Sequence, residues 1–150
     1  MICKTLFWWY AIPCGIDDIQ CFALILLVFY ILRKRWYAKN FLLIYSEQLA
    51  TDIELLCRNI KVPSNTIFQI RKSSSSVYAN IREANYGQSR ADMLSKFEIA
   101  LKECSETEGW LQLLFNTKSI DEGTYKSNRN LCGRIRRMLI ASCKTLKEKL

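Results

Sequence analysis

The strongest pattern in the chain is a pair of apolar stripes with helical spacing between residues 67 and 114. Apolar or small side chains recur every three or four residues, which is typical of one buried helix face and unlike the alternation of a strand. The two stripes are Ile67, Ile70, Ser74, Val77, Ile81 and Ala84, and Met93, Phe97, Ala100, Cys104, Thr107, Leu111 and Leu114. Two long helices are therefore predicted, and the serine run at residues 73–76 is interpreted as helix rather than loop.

A short turn is predicted between these two helices. Gly87 is expected to end the first helix in the left-handed conformation. Ser89, with Asp92 three residues later, predicts an N-cap and an acidic first turn for the second helix. Because the connection is short, the two helices should pack antiparallel.

Two further stripes predict one helix on each side of this pair. The preceding helix runs from about Asn40 to Ile60, before Pro63, with Ser64 able to cap the next helix. The following helix begins at an S-x-x-E capping box formed by Ser119 and Glu122. The expected buried residues are Leu42, Tyr45, Leu49, Ile53, Leu56 and Ile60, and Leu131, Ile135, Met138, Leu139, Ser142 and Leu146. The predicted fold is all-α, an antiparallel up-down-up-down four-helix bundle with an additional apolar N-terminal segment.

The apolar N-terminal segment, residues 1–34, is predicted to lie outside the bundle of residues 35–150. Its uncharged run at residues 19–32 holds 14 residues, followed by the basic residues 33–35. Such a run makes about 21 Å of helix, whereas a bilayer core is roughly 30 Å thick. Two interpretations stay open: a single-pass membrane anchor at residues 19–32 with the bundle in the cytoplasm, or an extension foreign to the native domain.

Composition excludes several kinds of chemistry. The chain has no histidine, which removes Ser-His and Cys-His nucleophile pairs and the Glu-x-x-His ligands of di-iron bundles. It also lacks the glycine-rich phosphate loops of nucleotide-binding proteins. The seven cysteines form no C-x-x-C pair and fit reduced cytoplasmic thiols. We therefore expect no enzyme, no metal site and no cofactor.

Charge points instead to a polyanionic partner. Lys and Arg outnumber Asp and Glu by 22 to 14, for a formal net charge of +8. At about 100° per residue, six basic residues of the fourth predicted helix share its outward side in two neighbouring lines, with few acidic residues after Glu122. These residues are Lys126, Arg137 and Lys144, and Arg129, Arg136 and Lys147. Such a face suits the phosphates of RNA or DNA, although an ordinary solvated helix face stays an equal alternative.

A second polar cluster surrounds the turn between the second and third helices. Its members are Asn80, Arg82, Glu83, Arg90 and Asp92. We expect these side chains to bond one another, either as a buried polar network that fixes the turn or as a charged contact with another protomer.

Three segments resemble one known family. They are residues 75–84 (SSVYANIREA), 88–92 (QSRAD) and 99–107 (IALKECSET), and they look like the four helix bundle proteins named for the 23S rRNA intervening sequences that encode some members. The resemblance covers roughly residues 35–150, and its pattern carries over to Asn80, Ile81, Glu83, Ser89, Asp92 and Glu106. It defines no active site.

What this resemblance implies is a small bacterial cytosolic protein that is not an enzyme and assembles as a homopentamer. A related member, the accessory variability determinant of diversity-generating retroelements, binds nucleic acid and a reverse transcriptase through a basic surface. The leading hypothesis is thus a non-catalytic oligomeric bundle that binds RNA or DNA through its fourth helix. The alternative is a protein-interaction scaffold or accessory subunit, with membrane contact through residues 19–32 if that segment is an anchor.

Overall fold

The computed structural model of the protein describes Leu27 and residues 41–150. Four helices occupy the latter range: α1 covers residues 41–59, α2 Ser64–Ala84, α3 Arg90–Asn116 and α4 Glu122–Lys147. No strand occurs in this range. The predicted all-α four-helix fold is confirmed, and the four helices belong to one unit of the chain, Ala38–Leu150.

The predicted boundary after residue 34 and the possible anchor at residues 19–32 lie outside the residues described, apart from Leu27. Among the residues that the structure does describe, none belongs to a helix with the length and apolar character needed to cross a membrane.

Contacts between neighbouring helices close the bundle in the order α1, α2, α3, α4 and back to α1. Glu54 of α1 pairs with Arg71 of α2 at 2.9 Å. On the other side of α1, the Arg134 guanidinium of α4 lies 5.9 Å from the ring centroid of Tyr45. The remaining neighbours, α2 with α3 and α3 with α4, share extensive contacts. Each helix thus has two neighbours, as the antiparallel connections require.

One continuous core fills the space between the helices. Its completely buried side chains include Leu49, Ile53, Ile81, Leu111 and Ile135, so all four helices contribute. The predicted stripes of α2 and α3 are confirmed, with only Ile67 and Met93 half-buried at their beginnings.

The predicted stripe of α4 needs a correction. Leu131, Met138 and Leu146 are only partly buried. The residues that face the interior are Tyr125, Asn128, Cys132, Ile135, Leu139 and Cys143. The core side of α4 is therefore rotated relative to the prediction, because two cysteines, a tyrosine and an asparagine replace aliphatic side chains there and hide the helical period.

A buried hydroxyl pair joins α2 to α3 near the middle of the bundle. The Thr107 hydroxyl of α3 lies 2.9 Å from Ser73 Oγ of α2 and 2.9 Å from the Glu103 carbonyl in its own helix. Ser73 in turn donates to the Ile70 carbonyl at 3.2 Å. Both residues are completely buried. Since an unpaired buried hydroxyl is costly, this pair stabilises one register of α3 against α2.

The helix ends differ from three local predictions. Pro63, not Ser64, is the N-cap of α2, and it makes no side-chain cap bond. Asp121, not Ser119, caps α4 by accepting from the Thr124 amide. No glycine in the described range has positive φ, so Gly87 is not a left-handed residue.

Glycine at position 87 is explained by close packing rather than by backbone conformation. The Asn85, Tyr86 and Gly87 amides donate to carbonyls three residues back, which ends α2 with right-handed turns. A Cβ at Gly87 would lie 3.2 Å from Asp92 Oδ2 and 3.3 Å from the Met93 nitrogen. A side chain at this position would therefore require its neighbours to shift by a few tenths of an ångström.

A left-handed residue was predicted at Gly87 but is found in a different turn. It is Lys118, just after α3, with φ 55°. The Ser119 amide donates to the Leu114 carbonyl and the Lys118 amide to the Phe115 carbonyl, the pattern of a Schellman motif. Glycine is usual at this position because a side chain makes the left-handed conformation costly. A lysine there gives no sequence signal for this turn.

We predict that the Ser73–Thr107 pair contributes measurably to stability. Replacing Thr107 by Val removes the hydroxyl at nearly constant shape and should lower the free energy of unfolding by about 1 kcal/mol. Ser73→Ala should cost a similar amount, and the double variant should show a coupling energy of about 0.5–1.5 kcal/mol in a double-mutant cycle.

Urea unfolding provides the measurement, and Thr51→Val provides the control. Thr51 is exposed and donates to the Glu47 carbonyl at 2.9 Å, the same spacing along the helix as Thr107 to Glu103. Its replacement should leave stability nearly unchanged. Additive single costs at Ser73 and Thr107 would show that the two hydroxyls do not act as a pair.

Candidate nucleic-acid interface

The beginning of α4 is held by a charged cap. Asp121 accepts from the Thr124 amide at 2.9 Å and from the Thr124 hydroxyl at 2.6 Å. These hydrogen bonds hold the pKa of Asp121 below its ordinary value, because they favour the ionised carboxylate. Four residues on, Tyr125 stacks on Phe115 of α3 with ring centroids 4.5 Å apart, and this contact holds the first turn of α4 against α3.

All six basic residues predicted for α4 are exposed, but they fall into two groups. The first group, Arg129, Arg136 and Lys147, includes the cations that point toward α3. Arg136 pairs with Glu108 at 3.1 Å, and Lys147 pairs with Glu98 at 2.8 Å. The guanidinium carbon of Arg129 lies 5.8 Å from the Tyr125 ring centroid. Arg136 and Lys147 thus join α4 to α3, whereas Arg129 contacts a ring of its own helix.

The second group comprises Lys126, Arg137 and Lys144, which lie about 60° around α4 from the first group. Lys126 pairs with Glu122 of the same helix at 2.6 Å, and both side chains are about two-thirds exposed. No ion pair to a carboxylate is found for Arg137 or Lys144 within residues 41–150, where both are exposed. We call these two residues the open cations of α4.

The prediction that the basic face of α4 has few acidic partners is therefore only partly correct. Few acidic residues follow Glu122 along the chain, but α3 brings Glu98 and Glu108 beside α4. Sequence reasoning also missed Arg134, which joins Arg129, Arg136 and Arg137 in lining a polar cleft beside Glu108. Arg134 was not included because it lies away from both predicted lines, toward Tyr45 of α1.

The predicted polar cluster at the turn between α2 and α3 is not a buried network. Arg82, Glu83 and Arg90 are exposed, and within the cluster only Asp92 and its neighbours in the cap bond locally. Ser89 accepts from the Asp92 amide at 3.1 Å, which confirms the predicted N-cap.

The other members of the cluster bind elsewhere. Asn80 donates to the Ser76 carbonyl at 2.9 Å, and Glu83 pairs with Lys96 at 2.6 Å. Arg90 donates to the Lys149 carbonyl at 3.2 Å, which ties the end of the chain to the beginning of α3. The expectation that these residues bond one another is wrong, because helix geometry points each toward a partner one turn away or on a neighbouring helix.

Glu106, which the family pattern singles out, has a structural contact. It accepts from Trp110 Nε1 at 3.2 Å, one turn further along α3. The bond satisfies the indole N–H of a partly buried tryptophan.

The described cysteines behave as small apolar side chains. Cys57, Cys104, Cys132 and Cys143 are buried and free. Burial raises the pKa of the Cys57 and Cys143 thiols, and contact with Cys104 together with burial raises the pKa of Cys132 far more. In residues 41–150, no three His, Cys, Asp or Glu side chains are grouped closely enough to hold a metal ion.

These features define a class: an antiparallel helical bundle that presents basic residues of its last helix to solvent. Comparison with family models identifies the family within that class. Residues 44–141 match the model for the 23S rRNA-intervening sequence protein, and the chain belongs to this family. The predicted family resemblance is confirmed.

A solved structure is similar to the chain over most of the bundle. It is a protein of unknown function from the S23 ribosomal protein family of Bacteroides thetaiotaomicron VPI-5482. The two sequences are 38% identical, the match covers 71% of this chain and 98% of that one, and the TM-score is 0.66. No match to a curated protein was found.

We predict that the Asp121 cap stabilises the bundle in a pH-dependent way. The lowered pKa means that its contribution is fully present above the ordinary value of 3.8 and is lost as pH falls through the lower pKa of the folded state. Asp121→Ala should lower the melting temperature at pH 7, and this difference should shrink in acid.

Asp121→Asn is the matched control, since its amide oxygen can still accept from the Thr124 amide without a charge to titrate. Thermal unfolding of the three proteins across this pH range makes the comparison. If the Ala variant were destabilised equally at neutral pH and well below pH 3.8, the ionised form of Asp121 would have no special role.

Proposed function

We propose that this protein is a non-catalytic nucleic-acid-binding bundle whose α4 contacts RNA or DNA phosphates. The observation that carries the proposal is the exposure of Arg137 and Lys144 without a carboxylate partner among residues 41–150. They are seven residues apart on one helix, or about 10 Å. Cations spaced along a straight helix can each meet a phosphate, and such binding is electrostatic and largely independent of base sequence.

The partnered cations have a supporting role in this proposal. Arg136 and Lys147 are already paired with Glu108 and Glu98, so moving them to a phosphate would break an existing ion pair. Their pairing with α3 leaves the open cations able to meet a phosphate without breaking an ion pair in residues 41–150. The net charge of +8 adds a long-range attraction for a polyanion.

Replacing the open cations should weaken nucleic-acid binding in a salt-dependent manner. For the full-length chain, Arg137→Gln combined with Lys144→Gln should lower the affinity for an RNA or DNA duplex. It should also reduce the slope of log affinity against log salt by about 2, one for each lost phosphate contact. Fluorescence anisotropy over a series of salt concentrations gives both quantities.

A double variant with Lys72→Gln and Lys102→Gln is the charge-matched control. Both lysines are exposed, on α2 and α3, and their removal lowers the net charge equally. An equal loss in both double variants would mean that net charge, not the α4 face, governs binding. Loss in neither, together with partner capture that survives nuclease and requires Glu83 or Arg90, would favour the protein-interaction scaffold.

We also propose that the protein forms a homo-oligomer through the outward side of α1. Ile44 and Leu55 are 53% and 50% exposed and lie 11 residues apart, which places them within about 20° of each other around the helix. Two exposed apolar side chains on one outward face suit a contact with another copy. The family resemblance implies a pentamer.

The oligomer should dissociate when these two residues are made polar. Ile44→Ser with Leu55→Ser in the full-length chain should lower the molar mass measured by light scattering during gel filtration, because the apolar contact area is lost. Ile99→Ser, at a 39% exposed position on α3, is the control and should leave the mass unchanged. A mass unaffected by the α1 substitutions would place the contact elsewhere.

A further inference from the structure

The corner where α2 turns into α3 carries a row of aromatic and basic side chains that the α4 face lacks. Tyr78 and Arg82 lie one turn apart on α2, Tyr86 follows in the turn just after the helix, and all three line the same groove. Tyr86 is 82% exposed, more than any other large apolar side chain in residues 41–150. By contrast, the aromatic ring at the beginning of α4, Tyr125, is buried and stacked on Phe115.

Arg82 is held in position by Tyr78. Its Nη1 donates to the Tyr78 hydroxyl at 2.8 Å, and its guanidinium carbon lies 5.9 Å from the Tyr78 ring centroid. A guanidinium has five N–H donors, so donors remain for a ligand after the bond to Tyr78. Tyr78 thus orients an arginine whose charge is not paired with a carboxylate in the described range.

The acidic residues beside this row are already engaged. Glu83 is paired with Lys96 at 2.6 Å, and this pairing raises the pKa of Lys96. Asp92 accepts from the Gln88 amide at 3.1 Å as part of the cap of α3. The row of Tyr78, Arg82 and Tyr86 and these charged residues line one groove, together with Ala79 and the exposed Gln88. Its volume of about 510 Å³ is within the range of small-ligand sites.

Such a groove matches an unpaired nucleobase better than a duplex. Exposed rings stack with bases whatever their sequence, and an arginine beside them can bind the adjoining phosphate. The bases of a duplex are stacked on each other and offer no free face. Gln88 adds an amide, which can both donate to and accept from the edge of a base.

The groove lies at the same end of the bundle as the end of α4. Arg90, two residues beyond Gln88, donates to the Lys149 carbonyl at 3.2 Å, so the end of α4 and the turn after α2 lie at the same end of the bundle. A strand lying along α4 would therefore approach this end. We propose that the groove of Tyr78, Arg82 and Tyr86 binds an unpaired base in a single-stranded segment of the nucleic acid, with the base stacked on Tyr86.

This inference rests on the proposed function, and its test separates the two. The full-length chain is titrated with a fluorescent single-stranded RNA and with a duplex RNA of the same length. Tyr86→Ala should weaken single-strand binding about 10-fold, the range expected for loss of one stacked base, and leave duplex binding unchanged. The combined Arg137→Gln and Lys144→Gln variant should weaken both.

Two control variants test the role of the ring. Tyr86→Phe keeps the stacking surface and should bind the single strand like the unmodified chain. Phe68→Ala removes a 60% exposed ring from another part of α2 and should also leave binding unchanged. Since both rings are largely exposed, neither truncation should unfold the protein, and melting temperatures check this.

Three results would overturn the inference. In the first, Tyr86→Ala has no effect on single-strand binding, or an equal effect on both ligands, while the open cations still matter; the α4 proposal then survives alone. Binding of a free mononucleotide as tightly as the oligonucleotide would assign the groove to a small ligand. If the unmodified chain bound neither RNA, both proposals would fail together.

Discussion

Burial of one apolar face on each of four helices is the interaction on which the whole bundle depends. Helices of this length gain most of their stability from packing rather than from intrinsic propensity. The core extends without interruption from Leu49 on α1 to Ile135 on α4. Apolar packing is not directional, however, and the Ser73–Thr107 hydroxyl pair adds the geometric requirement that selects a register for α2 against α3.

Contacts around the bundle surface divide the basic residues by role. Cations on the α3 side of α4 meet Glu98 and Glu108 across the helix interface. Exposed ion pairs of this kind contribute little stability individually, so their main effect is to determine which charges stay free for a ligand. The arrangement leaves Arg137 and Lys144 as exposed α4 cations without an ion pair in residues 41–150. The aromatic surface lies apart, in the last turns of α2 and just after it.

Periodicity in the sequence was sufficient to predict the fold, because the buried positions of α2 and α3 recur every three or four residues and carry apolar or small side chains. It was less accurate for α4, where Cys132, Cys143 and Asn128 face the core. Residue preferences at helix ends predicted some turns correctly and others not. Ser89 caps α3 as its sequence context indicates, whereas the left-handed residue after α3 is a lysine, which no residue preference would suggest.

The candidate site was harder to predict for a physical reason. Sequence spacing places Arg136 and Arg137 side by side, but only the fold shows that Glu108, 28 residues earlier in the chain, neutralises Arg136. The same limit applies to the polar turn, whose members were expected to bond together. Arg90 instead binds the distant Lys149, and Glu83 pairs with Lys96 of α3. Contacts between helices depend on register, and register is not readable from a single helical stripe.

The burial of every cysteine in residues 41–150 has a practical consequence for spectroscopy. Thiols that are shielded from solvent, with raised pKa values at Cys57, Cys132 and Cys143, form little thiolate and react slowly with maleimides and similar reagents. A cysteine engineered at an exposed position of α4 would differ sharply in reactivity from these native thiols of the bundle. A spin label or fluorophore could therefore be attached to the bundle without first replacing Cys57, Cys104, Cys132 and Cys143.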